Sequence, residues 1–121
     1  MRDELTGVLG PLEAEVMEVF WSIGGAMSVR AMLDRLNDGR QPPLAYTTVM
    51  TVMARLAGKE ILRRELNGRG YVYEAAVPDA ASIAVRSVVR DFGDAAIAGF
   101  VDQARADPKL RQRLERLLRE R

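Results

Sequence analysis

The chain has 121 residues, the size of one domain or of one small domain with an appendage, and its 48% hydrophobic and 29% charged make-up is ordinary for a soluble protein. It contains no cysteine and no histidine, which excludes a disulfide framework, the usual zinc ligand sets and Cys- or His-based nucleophilic chemistry. The net charge is only +1 but is polarised: residues 1–38 hold seven acids and three bases, whereas residues 39–73 hold six bases (Arg40, Arg55, Lys59, Arg63, Arg64, Arg69) against two acids (Glu60, Glu65).

Pro11 suits the first turn of a helix, where its missing N–H costs nothing. Leu12, Val16, Val19, Phe20 and Ile23 follow at helical spacing, with Glu13, Glu15 and Glu18 on other faces. Gly24 and Gly25 end this helix. Ser28 is placed to cap a second one, with Val29, Met32, Leu33 and Leu36 as its apolar residues. Residues 37–43, NDGRQPP, form a loop, since Pro42-Pro43 blocks a helix. A third helix is expected from about residue 45 to 57.

The pattern then changes. Residues 61–66 and 71–75 are strand-like, and Asn67-Gly68 between them is a strong hairpin signal. Arg69 sits on the hairpin tip. Three short helices followed by a basic-tipped hairpin is the order of a winged helix-turn-helix, in which the third helix meets the DNA major groove and the hairpin is the wing.

Pro78 breaks the second strand and Asp79 is placed to cap a new helix, so a boundary is expected between residues 76 and 77. Ile83, Val85, Val88, Val89 and Phe92, then Ile97, Phe100, Val101 and Ala104, recur at helical spacing, with Gly93 placed to kink or split the run. Asp107 and Pro108 restart it, and Leu110, Leu114, Leu117 and Leu118 follow. So short a tail is marginal as an independent monomer. Its apolar stripe most simply meets its own copy in a homodimer, the alternative being that it packs back on the first domain. The expected fold is mainly α with a small β-hairpin: a winged-helix DNA-binding domain, 1–76, and a helical dimerisation domain, 77–121.

The third helix has an unusual outer face. At 100° per residue Val49, Val52, Met53 and Leu56 form one side, opposite Thr47, Met50, Thr51, Ala54 and Gly58, with Arg55 at the edge and Thr48 on the flank. An ordinary solvent face would carry charged, helix-favouring residues, and none occurs before Arg55. A helix buried on both sides would leave three hydroxyls in need of partners. A groove-facing surface accounts for both features: threonine reaches a phosphate, a base edge or a thymine methyl, alanine permits close approach, and arginine reaches guanine or phosphate. Lys59, Arg63, Arg64 and Arg69 are expected to clamp the DNA backbone by the same reasoning. The alternative is a winged-helix protein-interaction module without specific DNA binding.

An enzyme is disfavoured, because no clustered acidic motif, DxDxDG-type loop or Gly-rich phosphate loop occurs; no metal or cofactor is expected. No apolar run approaches the ~18 residues of a membrane span. The opening MRDELTG is too polar and too short for a signal peptide, so the expected location is cytoplasmic, without membrane insertion.

Three stretches resemble the BlaI/MecI/CopY family of bacterial repressors (penicillinase-repressor type): LGPLEAEVMEVFW at 9–21, AYTTVMTVMARLAGKEIL at 45–62, and GRGYVYEAAV at 68–77, ahead of a helical tail. The resemblance covers nearly the whole chain. It implies a dimeric winged-helix repressor on a dyad-symmetric operator, held together by its C-terminal helices. Carried over, the recognition positions are Tyr46, Thr47, Thr48, Thr51 and Arg55, and the wing position is Arg69. Three departures accompany it. The cysteine-rich copper site of some members has no counterpart here. Antibiotic-responsive members are cut by a membrane sensor protease at an Asn-Phe bond, and the corresponding bond here, Gly99-Phe100, lacks the asparagine. The glycine that often follows the lysine after the recognition helix is replaced by Glu60, so the exit from that helix is expected to differ.

Overall fold

The computed structural model describes residues 9–120; the MRDELTG segment read above as no leader lies outside them. The chain divides into two compact units, residues 1–83 and 84–121.

The first unit opens with α1, Pro11–Ile23, whose Glu13 carboxylate accepts the Gly10 N–H at 3.1 Å. Gly24, left-handed at φ 77°, closes it and donates its N–H to the Phe20 carbonyl. A two-residue strand, β1 (Met27–Ser28), leads into α2 (Val29–Asn37), where the Ser28 hydroxyl accepts the Ala31 N–H at 3.0 Å. Helix α3 spans Tyr46–Gly58. Strands β2 (Leu62–Asn67) and β3 (Gly70–Ala75) form the hairpin, and β1 adds to its other side in the antiparallel order β1-β3-β2, with Met27 opposite Tyr73.

Two expectations change in detail. The sheet has three strands rather than the two of an isolated hairpin; a two-residue strand leaves no periodicity to detect. The turn is also shifted by one residue. Asn67 pairs with Gly70, so the central turn residues are Gly68 and Arg69, and only Gly68 has a positive φ, at 66°. Glycine at the first central position is the type II′ pattern rather than the Asn-Gly type I′.

The core gathers Val16, Met17 and Phe20 of α1, Met32 and Leu33 of α2, Val49, Met53 and Leu56 of α3, and Leu62 and Tyr73 of the sheet, with aliphatic side chains predominating. Trp21 donates its indole N–H to the Val77 carbonyl at 2.9 Å, tying the chain beyond β3 to α1. Val77, Ala80 and Ile83 are also buried in this core. The compact division therefore falls after Ile83, seven residues beyond the boundary read from Pro78. Helix α4 (Ala80–Phe92) thus begins in the first unit. Asp79 caps it by accepting the Ser82 N–H at 2.8 Å. That bond, aided by one from the Ser82 side chain, holds the Asp79 pKa below its ordinary 3.8. The cap's contribution is present above that ordinary value and is lost as pH falls through the lower folded one.

In the second unit Gly93, at φ 58° and ψ −134°, separates α4 from α5 (Asp94–Ala106). Asp107 caps α6 (Pro108–Arg119), accepting the Lys109 and Leu110 N–H groups. Among the described residues no helix is long and apolar enough to cross a membrane.

The exit of α3 carries backbone strain. Glu60 has φ 63°, the left-handed conformation that glycine adopts freely and other residues at a cost of ~1–2 kcal/mol. The helix is thus left through a left-handed residue even without the glycine. Glu60→Gly is expected to raise the urea midpoint, for a net gain of about 0.5–1 kcal/mol once glycine's extra unfolded-state entropy is subtracted. Glu60→Ala, which keeps the strain, is expected to show no such gain.

Candidate nucleic-acid interface

The two faces of α3 differ completely in burial. Val49, Met53 and Leu56 are fully buried and Val52 nearly so, while Tyr46, Thr47, Thr48, Met50, Thr51, Arg55 and Gly58 are exposed and Ala54 is half-buried. The inner face explains why this β-branched segment is helical. Tertiary burial outweighs a propensity deficit of at most ~0.7 kcal/mol per residue. The exposed side carries hydroxyls, a methionine and an arginine, and no carboxylate within the helix.

The entry to α3 is set by a side chain. Asn37, the last residue of α2, accepts the Leu44 N–H at 2.7 Å and donates its amide to the Leu44 carbonyl at 3.1 Å. One amide thereby closes the intervening loop as a backbone partner would, and fixes where α3 begins. Helix α3 itself has no side-chain N-cap, its N-cap residue being Ala45. Asn37 was not a candidate from sequence; an asparagine before a glycine and two prolines reads as an ordinary turn residue.

The basic residues fall into two groups. Lys59 lies against Glu13, its Nζ 3.1 and 3.3 Å from the two carboxylate oxygens. Arg40 is ion-paired with Glu15 and donates a further bond to the Leu36 carbonyl. Arg63 meets Glu74 across the hairpin at 3.3 Å. The cationic charge of these three is already matched, so Lys59, expected on DNA, tethers α3 to α1. By contrast, Arg55 on α3 and Arg69 on the hairpin tip are exposed and make no ion pair among the described residues.

Two further arginines stack on tyrosines. The Arg30 guanidinium lies 5.0 Å from the centroid of the Tyr46 ring, and that of Arg64 lies 4.5 Å from the Tyr71 centroid. Arg30 escaped the sequence reading because it belongs to α2, outside the basic segment. Among the described residues no cluster of three or more metal-ligating side chains is present.

The residues expected at a dimer interface sit mostly in the second unit. Val85, Val88, Val89, Phe92, Ile97, Phe100, Val101 and Leu117 are exposed, and Leu110 and Leu114 are half-buried. An open apolar groove of about 470 Å³ runs between α4 and α5, lined by Val85, Val88, Val89, Ile97 and Phe100 with two alanines. Ile83 is different: at 2% exposure it belongs to the first core and is not part of that surface. Although the sequence reading groups it with Val88 and Val89, at 100° per residue it lies about 140° from the one and about 120° from the other, so helical period itself sets it on the other side of α4. The Gly99-Phe100 bond lies inside α5.

The sequence profile described as "Penicillinase repressor" matches residues 9–120. A transcriptional regulator BlaI of Mycobacterium tuberculosis is 42% identical over 65 residues, covering 54% of this chain and 46% of that protein. An uncharacterized 16.5 kDa protein of Latilactobacillus sakei, from the ptsI 3′ region, is 36% identical over 76 residues, or 63% of this chain and 50% of the other. The matches thus span about half the length of these relatives.

Asn37→Ala removes both loop-closing bonds and leaves the Leu44 N–H and carbonyl in need of partners. It is expected to cost ~1–3 kcal/mol in denaturant unfolding and to speed hydrogen exchange at the first turn of α3. Unchanged exchange there would show that the loop is held by other means.

Proposed function

The chain belongs to the penicillinase repressor family, a family of transcriptional repressors rather than enzymes, and from that premise we propose that it is a homodimeric repressor of a dyad-symmetric operator. Each winged unit places the outer face of α3 in a major groove. Tyr46, Thr47, Thr48, Thr51 and Arg55 face the bases and adjoining phosphates, and Arg69 reaches the neighbouring backbone. The observation that carries the reading is the exposed, carboxylate-free side of α3, with Arg55 unpaired on it. A phosphate-lined groove repels carboxylates and selects for such a surface.

The second unit supports the dimer. Val88, Val89, Phe92, Ile97, Phe100 and Val101 form an exposed apolar surface of the kind that a second copy covers isologously, with Leu110, Leu114 and Leu117 contributed by α6. Two half-sites then lie about one helical turn apart, ~34–36 Å, or a multiple of it. Linking two recognition helices makes the second contact intramolecular, so weakening the C-terminal contacts releases the operator. Gly99-Phe100 lacks the asparagine of the cleaved bond, and a membrane sensor protease is no part of the proposal.

Binding sites selected by the protein from a random duplex pool are expected to be dyads. Arg55→Ala is expected to cost ~1–3 kcal/mol on such a site and to relax preference at one position of each half; an unchanged affinity would remove Arg55 from the interface. Deleting residues 84–121 leaves the first core entire, Ile83 included. The product is expected to sediment as a folded monomer that binds more weakly, and a truncated chain that remains dimeric would place the interface elsewhere. If the intact protein retards no duplex even at low salt, a winged-helix protein-interaction role takes the place of repression.

A further inference from the structure

Five arginines of the winged unit make no ion pair among the described residues; Arg35 of α2 stacks on no ring, and the other four are not equivalent. Arg55 and Arg69 belong to the surface already described. Arg30 and Arg64 do not, and each is held in the same manner, with its guanidinium over a tyrosine ring. All four residues of these two pairs are exposed, and neither guanidinium makes a hydrogen bond or ion pair among the described residues. We propose that Arg30 on Tyr46 and Arg64 on Tyr71 are DNA phosphate contacts, one at the start of the recognition helix and one on the wing, and that Lys59 and Arg63 are not.

The chemistry of the two kinds of partner separates them. An ion pair with a carboxylate engages the N–H donors at the edge of a guanidinium and matches its charge. A tyrosine ring engages only the flat face. Stacking therefore holds the side chain in one place while its in-plane donors and its full charge stay available for phosphate oxygens. The positions agree with the expected docking. Arg30 is in the first turn of α2, and in a helix-turn-helix the helix before the recognition helix crosses the backbone. Tyr46 is the first residue of α3, so the Arg30 stack joins the two helices at the place where the groove edge passes.

On the wing, the alternation of β2 sorts neighbours of identical charge. Arg64 shares a face with Leu62, Leu66, Tyr71 and Tyr73, as the register pairs Arg64 with Tyr73 and Leu66 with Tyr71. Leu62 and Tyr73 are buried in the core, whereas Leu66 is 68% and Tyr71 44% exposed. The core-side face of the sheet thus continues past the core towards the tip, and there it carries Arg64. Arg63 is on the opposite face, against Glu74. An arginine already matched by a glutamate would bring that negative charge to the DNA with it.

This inference rests on the DNA-binding reading and is tested so that the two fail separately. Binding of the full chain is measured against salt on a duplex of arbitrary sequence and on a duplex the wild type selects from a random pool. Each phosphate contact contributes about 0.9 to the slope of log affinity against log salt, or about a threefold affinity change between 50 and 200 mM salt. Arg30→Ala and Arg64→Ala are each expected to lower that slope by about 0.9 per bound protomer, to weaken both duplexes by the same factor, and to leave the melting temperature unchanged. Arg63→Ala removes the same charge and is expected to leave the slope near that of the wild type. Tyr71→Phe, which keeps the ring, is expected to bind as the wild type does, and Tyr71→Leu to weaken both duplexes. A steep wild-type slope that Arg30→Ala and Arg64→Ala leave intact would overturn the assignment. So would an equal change in Arg63→Ala, or a loss confined to the selected duplex, which would make these residues base readers. A wild-type protein that binds neither duplex at low salt would overturn the DNA-binding reading itself, and this inference with it.

Discussion

The burial of one face of α3 is the contact on which the rest of the winged unit depends. Val49, Val52, Met53 and Leu56 are at most 8% exposed. At ~1.5–3 kcal/mol for each fully buried aliphatic side chain, the four together supply roughly 6–12 kcal/mol of gross stabilisation, comparable to the whole net stability of a small domain. Against this the threonines on the other side forgo at most ~0.7 kcal/mol each in helix propensity. The helix is therefore held chiefly by its inner face, and its outer face is free to be chosen for another purpose. Asn37 and Lys59 act on the same helix from its two ends, one closing the loop before it and the other tying its exit to α1.

Electrostatics in this unit sorts charges more than it stabilises them. The Lys59–Glu13, Arg40–Glu15 and Arg63–Glu74 pairs are all partly exposed, and such pairs contribute ~0–1 kcal/mol each. Their larger consequence is for the surface potential. They match three of the six bases in the segment 39–73, so the positive field is carried by Arg55, Arg64 and Arg69, with Arg30 and Arg35 added from α2. Segment charge counted along the chain misassigns both groups, because the acids of α1 belong to the unit's surface as much as the bases of the wing do.

Much of this was legible in the sequence, and the parts that were not share a cause. The helical period of α3 was readable because its inner residues are all aliphatic and the hairpin signal lies downstream of it. The wing was readable from Asn67-Gly68, although turn type and strand register are decided together, and the chain sets Gly68-Arg69 at the tip. Three features depend on contacts between residues distant in the chain and leave no local trace. Strand β1 exists only because β3 offers an edge for Met27 and Ser28. Lys59 finds Glu13 forty-six positions away. Ile83 lies on the side of α4 away from the exposed stripe, and only the fold shows that the first core covers it. The stacked arginines are of the same kind: nothing in the sequence separates Arg64 from Arg63 until the strand's alternation is known.

The central claim is that the outer face of α3 enters the groove while its inner face stays in the core, and methionine methyl groups report on both. Met50 is exposed on the outer face, whereas Met17, Met32 and Met53 are fully buried. With methyl-labelled methionine, NMR spectra recorded as a selected duplex is added should show the Met50 resonance shifting or broadening strongly, with those of Met17, Met32 and Met53 nearly still. A complex that forms while the Met50 methyl remains unperturbed would contradict the account, because DNA would then be held by some other surface.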